Sequence, residues 1–185
     1  MLILFNKPFQ VLCQFSPQEG RQSLADYVTI PAIYPAGRLD ADSEGLMLLT
    51  DDGILQHQIA HPDHKEAKTY LVQVEGSPDA AALARLQAPI DLGDFITKPC
   101  RAVQIAEPEW LWPRDPPIRA RADKPTAWLA ITLEEGKNRQ VRRMTAAVGL
   151  PTLRLVRSSI GPFSLATHPL MPGECVQVSA ASIKK

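Results

Sequence analysis

"GRLDADSEGLMLLTDDG", residues 37–53, places an arginine and a set of acidic side chains ahead of a continuous apolar run and closes on a turn. "GLMLLT" has the length of a β-strand, and "DDG" has the composition of the turn that ends one. Working outward, "LILFNKP" and "FQVLCQF" read as strands divided near Lys7-Pro8, and "KTYLVQVEG" alternates as a strand does. "AWLAITLEEG", "PTLRLVRSS" and "ECVQVS" add further strands. Three helices are expected between them. "ILQHQIAH" is short and ends at Pro62; "SPDAAALARLQ" has Ser77 as a cap and Pro78 at the first helical position. "NRQVRRMTAAVGLP" carries the strongest helical signal, with Asn138 as cap and Gly149 and Pro151 as the stop. Strands in hairpin-like runs, without regular βαβ alternation, predict an α+β fold around a largely antiparallel sheet with flanking helices.

The 185 residues suffice for one domain, or for two small lobes that share a core. No apolar run approaches the ~20 residues that cross a bilayer, so no membrane association is expected. "MLILFNKP" lacks the basic segment and cleavage site of a signal peptide. Cys13, Cys100 and Cys175 are far apart and form no CxxC pair, which suits reduced thiols in a cytoplasmic protein. No glycine-rich phosphate loop is present, so nucleotide cofactors have no support. Five prolines fall between Glu107 and Pro125, an irregular excursion whose Trp110 and Trp112 suggest that it docks onto the body.

Net charge is zero, with 20 basic and 20 acidic residues, which alone argues against a nucleic-acid partner. The distribution argues the other way. From Lys137 to Arg157 there are six basic residues and no acidic one. A basic stripe on a neutral protein can still hold a phosphate backbone. On the helix within it, Val141, Met144 and Val148 share the side that should face the core. Arg139 and Arg143 lie opposite, and Arg142 sits at the margin. "GKN" before the helix presents backbone N–H groups that favour an anion. The bland alternative is a solvated helix face.

The acids of residues 37–53 invite a calcium reading, since Asp40, Asp42, Glu44, Gly45 and Asp51 match positions 1, 3, 5, 6 and 12 of a calcium loop. The helix that must enter such a loop is missing: "TIPAIYPAG" contains Pro31, Pro35 and Gly37. His57, His61 and His64 likewise lack a completing ligand, and histidines at the surface or a helix end are the simpler reading. No metal is expected. "GRLD" has a different appeal, a carboxylate at the sheet edge, partly desolvated and kept ionised by a nearby guanidinium. A buried pair of that kind is weak evidence for stability and points to catalysis.

Together, "GRLDADSEGLMLLTDDG", "KTYLV" and "EGKNRQVRRM…LRLVRSSIGPFSL" resemble the RsuA/RluE-type pseudouridine synthases, and "LILFNKP" resembles the start of their catalytic domain. The likeness runs in order over nearly the whole chain. With its proline-rich excursion, the chain looks most like the RluE branch, which modifies a uridine in 23S ribosomal RNA. The resemblance implies a single pseudouridine synthase domain over 1–185, two lobes sharing one curved sheet with the active-site cleft across it. It also implies that no N-terminal S4-type domain precedes the catalytic strand. Asp40 matches the catalytic aspartate, Tyr70 the tyrosine that stacks on the target base, and Arg142 the basic partner of the aspartate. Arg38 matches an arginine that occupies space vacated by the flipped base, and Ile160 a hydrophobic residue against the tyrosine. Lys137, Asn138, Arg139, Gln140 and Arg143 are expected to contact the RNA.

The implied reaction isomerises uridine within RNA, Asp40 acting as nucleophile or as base at the sugar, without cofactor or metal. A cytoplasmic monomer acting on large-subunit rRNA is expected. An RNA-binding assembly factor without chemistry is the competing reading, disfavoured by the presence of Asp40, Tyr70 and Arg142. A metal-dependent nuclease is the remote third.

Overall fold

The most apolar segments become the innermost strands. In a computed structural model, which describes residues 1–60, 66–119 and 121–183, β1 (Leu2–Lys7) and β3 (Glu44–Thr50) are buried along their whole length. They pair antiparallel with Leu4 opposite Leu48 and Phe5 opposite Met47. Continuous apolar runs of this kind suit strands with no solvent face.

The chain divides into two compact units, residues 1–66 with 157–185, and residues 67–156. In the first, the strand order is β7–β3–β1–β9, where β7 is Thr152–Ile160, entering this unit from Arg157, and β9 is Cys175–Val178. Two short strands lie off this path: β2 (Tyr34–Pro35) pairs with β3, and β8 (Phe163–Ser164) with β7. The helix α1 (Gly53–Ala60) follows β3 and buries Leu55 and Ile59. Its start is set by Asp52, whose carboxylate accepts the N–H groups of Ile54 at 2.9 Å and Leu55 at 3.1 Å.

In the second unit the order is β5–β6–β4–β7, with β4 (Lys68–Glu75), β5 (Arg101–Ile105) and β6 (Thr126–Leu133). β6 pairs antiparallel with both neighbours, Ile131 facing Tyr70 on β4 and Ala102 on β5. Two helices complete it, α2 (Ala80–Gln87) and α3 (Gln140–Ala147). The α+β architecture expected from the strand pattern is therefore present. Among the described residues no helix is long and apolar enough to cross a membrane. None of the three cysteines is in a disulfide.

Four local expectations are corrected. "FQVLCQF" is not a strand; only an isolated bridge, Leu12 to Ser23, remains there. The cause is Lys7, whose buried ammonium draws in the carbonyls of Pro8 and Val11, both at 2.8 Å, and so bends the chain. The start of α2 lies two residues later than expected, because Asp79 is the cap, its carboxylate accepting the Ala82 N–H at 2.7 Å. At α3 the cap position is Arg139 in a left-handed conformation, and Asn138 lies before it. There Gln140 reaches back, its Oε1 accepting the Lys137 N–H at 3.0 Å. Finally, β2, β5 and β8 were not expected, being too short or too polar to show a period.

The proline-rich excursion does dock, within its own unit. Trp112 is buried, the Arg154 guanidinium lies 5.7 Å from its ring, and Arg154 donates to its carbonyl at 2.9 Å.

Candidate active site

In the first unit, the loop between β2 and β3 presents Arg38 and Asp40 to solvent while Leu39 between them is buried. The expectation of a partly desolvated carboxylate is corrected here: Asp40 is exposed. Its position is nonetheless defined by backbone contacts on both sides. The Ala36 N–H donates to Leu48 at 2.8 Å, and the Ser43 N–H closes a turn on the Asp40 carbonyl at 3.1 Å.

Two buried cations reinforce this loop. Lys7, fully buried, has its Nζ 3.3 Å from the Ala41 carbonyl, which also accepts the Gln10 N–H at 2.7 Å. Arg157, only 3 % exposed, donates from Nε to Leu46 at 2.8 Å and makes a long contact from Nη1 to the Arg38 carbonyl at 3.5 Å. The carbonyls of residues 38 and 41, which flank Asp40, are thus both approached by desolvated positive charge. Burial lowers the Lys7 pKa to about 8, against the opposing pull of Cys13, Glu44 and Asp42. The Cys13 thiol is shifted up by the same desolvation.

Gly45 explains how Arg157 comes so near. At φ +107° a Cβ on this residue would lie 2.3 Å from the Arg157 carbonyl oxygen and 2.7 Å from its nitrogen. Only glycine permits that backbone approach.

The other acids of residues 37–53 separate by role. Asp51 pairs with the N-terminal ammonium of Met1, and Asp52 caps α1. Glu44 is buried. No cluster of metal-ligating side chains exists among the described residues. Of the three histidines weighed as ligands, His57 lies on α1; His61 and His64 lie outside the described residues.

In the second unit, Tyr70 is a buried residue of β4. Arg142 is half-buried on α3, beside the buried Val141 and Met144; Val148, expected in the core, is only half-buried. Lys137, Asn138 and Arg139 are exposed in the turn before that helix. Gln140 is buried and committed within the protein, donating to Glu135 at 2.5 Å besides bracing Lys137.

The six-residue basic stripe largely dissolves on inspection. Arg143 pairs with Asp94 through both terminal nitrogens, donates to the Leu92 carbonyl at 2.7 Å and lies 5.0 Å from the Phe95 ring. Asp94 is held below the usual carboxylate range by that hydrogen bond. Arg154 and Arg157 are buried. Lys137 and Arg139 are exposed and Arg142 is half-buried.

Of the sequence-derived site residues, Arg38, Asp40 and Ile160 belong to the first unit, with Ile160 buried on β7 opposite Phe163. Tyr70, Arg142 and the residues around α3 belong to the second. Sequence reasoning missed Lys7 and Arg157. The signal for Lys7 was a charge at the end of an otherwise apolar strand; Arg157 was hidden by being counted as surface.

The RNA pseudouridylate synthase family model matches residues 1–147. A Vibrio vulnificus protein named ribosomal large subunit pseudouridine synthase E is 53 % identical over 181 residues, covering 98 % of this chain and 76 % of its own. A Xanthomonas campestris protein of the same name is 53 % identical over 176 residues, covering 94 % and 93 %. Among solved structures, a crystal structure of a pseudouridylate synthase superposes with a TM-score of 0.79 at 29 % identity, covering 98 % of this chain and 71 % of that one.

Proposed function

The chain belongs to the RNA pseudouridylate synthase family, in its RluE-type branch, and from that premise we propose that it converts one specific uridine of large-subunit ribosomal RNA to pseudouridine. The observation that carries the substrate is the identity, above one half, to relatives named for the large ribosomal subunit. The reaction breaks the N1–C1′ bond, rotates the uracil and joins C5 to C1′. C5 gives up a proton, N1 gains one, and nothing is oxidised.

Asp40 acts directly on the nucleotide, as nucleophile or as base at the sugar. Its exposure and its backbone-anchored loop suit a carboxylate that must meet a large polymeric substrate. A uracil inside a helix is out of reach and must be flipped, at a cost of a few kcal/mol. Tyr70 is assigned to stack on it, offsetting part of that cost, with Ile160 as its apolar backing. Arg142 is assigned as the basic partner of Asp40, and Arg38 to fill the space the base leaves. Lys137 and Arg139, exposed ahead of α3, are the best-placed phosphate contacts of their segment. Arg143 contributes less than its position suggested, since Asp94 already neutralises it. The protein is proposed to act as a monomeric cytoplasmic enzyme of one domain, its two lobes sharing one sheet.

Carbodiimide mapping of pseudouridine in ribosomal RNA tests this. RNA from cells lacking the protein is expected to lose one large-subunit stop, which the purified protein restores on unmodified RNA. An unchanged map, together with inactivity on that RNA, would refute the assignment.

A further inference from the structure

The first unit holds a concavity of about 610 Å³ beside the Asp40 loop, lined by Phe15, Ile33, Tyr34, Gln14, Ser16 and Arg38 among others. That volume falls within the range of ligand-binding pockets, about 300–1,000 Å³. Its wall is apolar and aromatic, with a few polar groups and a single charge. Arg38 is that charge, and no carboxylate lines the pocket. Such a lining complements a flat aromatic ring attached to an anionic backbone.

Tyr34 is the telling residue. It is 56 % exposed, although it sits on β2 with its backbone paired to Thr50 of β3. Its neighbour Ile33 is buried. A core role therefore does not explain Tyr34, yet its backbone is fixed. An exposed aromatic side chain on a fixed backbone loses little freedom when a base stacks on it, and every base offers a π-face. Gln14 is likewise pre-set, its amide donating to the Ser16 carbonyl at 3.0 Å.

We infer that this pocket receives an unpaired nucleobase flanking the target uridine, stacked on Tyr34, with Arg38 between it and the target. The inference rests on the proposed action on RNA. Arg38, which lines the pocket, stands two residues before Asp40 on the same loop, so a base held here is taken from the stretch of RNA around the target. The pocket then selects substrate and takes no part in the chemistry.

Steady-state pseudouridine formation on an in vitro transcript of large-subunit rRNA tests this, with Tyr34→Ala and Tyr34→Phe compared with wild type. Tyr34→Ala is expected to raise KM about ten-fold with kcat within about two-fold, while Tyr34→Phe keeps both within about two-fold. Thermal unfolding of each variant checks that the fold is intact. In parallel, the transcript is cross-linked by ultraviolet light to Asp40→Asn protein, and an adduct is expected on a peptide carrying Phe15 or Tyr34. Unchanged KM in Tyr34→Ala, or a loss confined to kcat, overturns the inference. If the wild-type protein makes no pseudouridine, the functional reading fails and the cross-link alone decides: an adduct at Tyr34 supports the pocket, and its absence overturns it.

Discussion

The two units use positive charge in different ways. In the first, Lys7 and Arg157 are buried and direct N–H groups at main-chain carbonyls, so that charge shapes the loop carrying Asp40. In the second, Arg143 meets the Asp94 carboxylate at the surface as well as the Leu92 carbonyl, and Arg154 is buried against Trp112, so the charge ties segments of that unit together. Desolvated cations are costly unless their donors are satisfied, so the first arrangement is sensitive to substitution and to pH. The Arg143–Asp94 pair is at the surface and should respond chiefly to salt.

The largest effect that would break this contrast is steric. Gly45→Ala places a methyl group onto the Arg157 backbone, at a φ where other residues are strained. A loss of about 4 kcal/mol is expected in denaturant unfolding, enough to leave little folded enzyme. A near-neutral result would show that β3 and Arg157 are not as close as described.

Next comes Lys7→Met. The folded pKa of about 8 lies below the ordinary 10.5, so between those values the unfolded chain holds a proton that the folded one lacks. Wild-type stability should therefore gain up to about 3 kcal/mol from this residue as pH rises through that window. Below pH 8 the gain is absent, because both states are protonated. In Lys7→Met the rise should vanish, read from urea titrations at pH 7.5, 9 and 10.5. Because the Ala41 carbonyl loses a donor, kcat should fall about ten-fold from misplacement of the Asp40 loop. A variant with the wild-type pH slope would contradict the buried-cation account.

The smallest effect belongs to the second unit. Asp94→Asn releases Arg143, and RNA binding at low salt should tighten about two- to three-fold, with a steeper salt dependence. Unchanged binding at every salt concentration would mean that Arg143 does not face the RNA.

The same contrast accounts for what could be read in advance. β1, β3, β4, β6, β7 and β9 announce themselves because burial or alternation leaves a period in the sequence. Asp40 was singled out by its motif; the cap of α2 was misplaced by two positions, Asp79 taking the role expected of Ser77, and that of α1 was not foreseen. The Lys137–Arg157 stripe misled because sequence order hides folding partners: Asp94 lies far upstream of Arg143, and Trp112 far upstream of Arg154. "FQVLCQF" misled because its apolar residues suit a strand, while the buried ammonium of the nearby Lys7 draws in the Pro8 and Val11 carbonyls and bends the chain, which no apolar pattern records. Long-range polar partners leave no periodicity.

The central claim is that Asp40 performs the chemistry on a uridine of large-subunit RNA. Its most direct test is Asp40→Asn, assayed for pseudouridine formation and for RNA binding on the same unmodified transcript. The account predicts a loss of rate of at least about a thousand-fold with binding within about three-fold of wild type. Pseudouridine formed at an undiminished rate by that variant would contradict it.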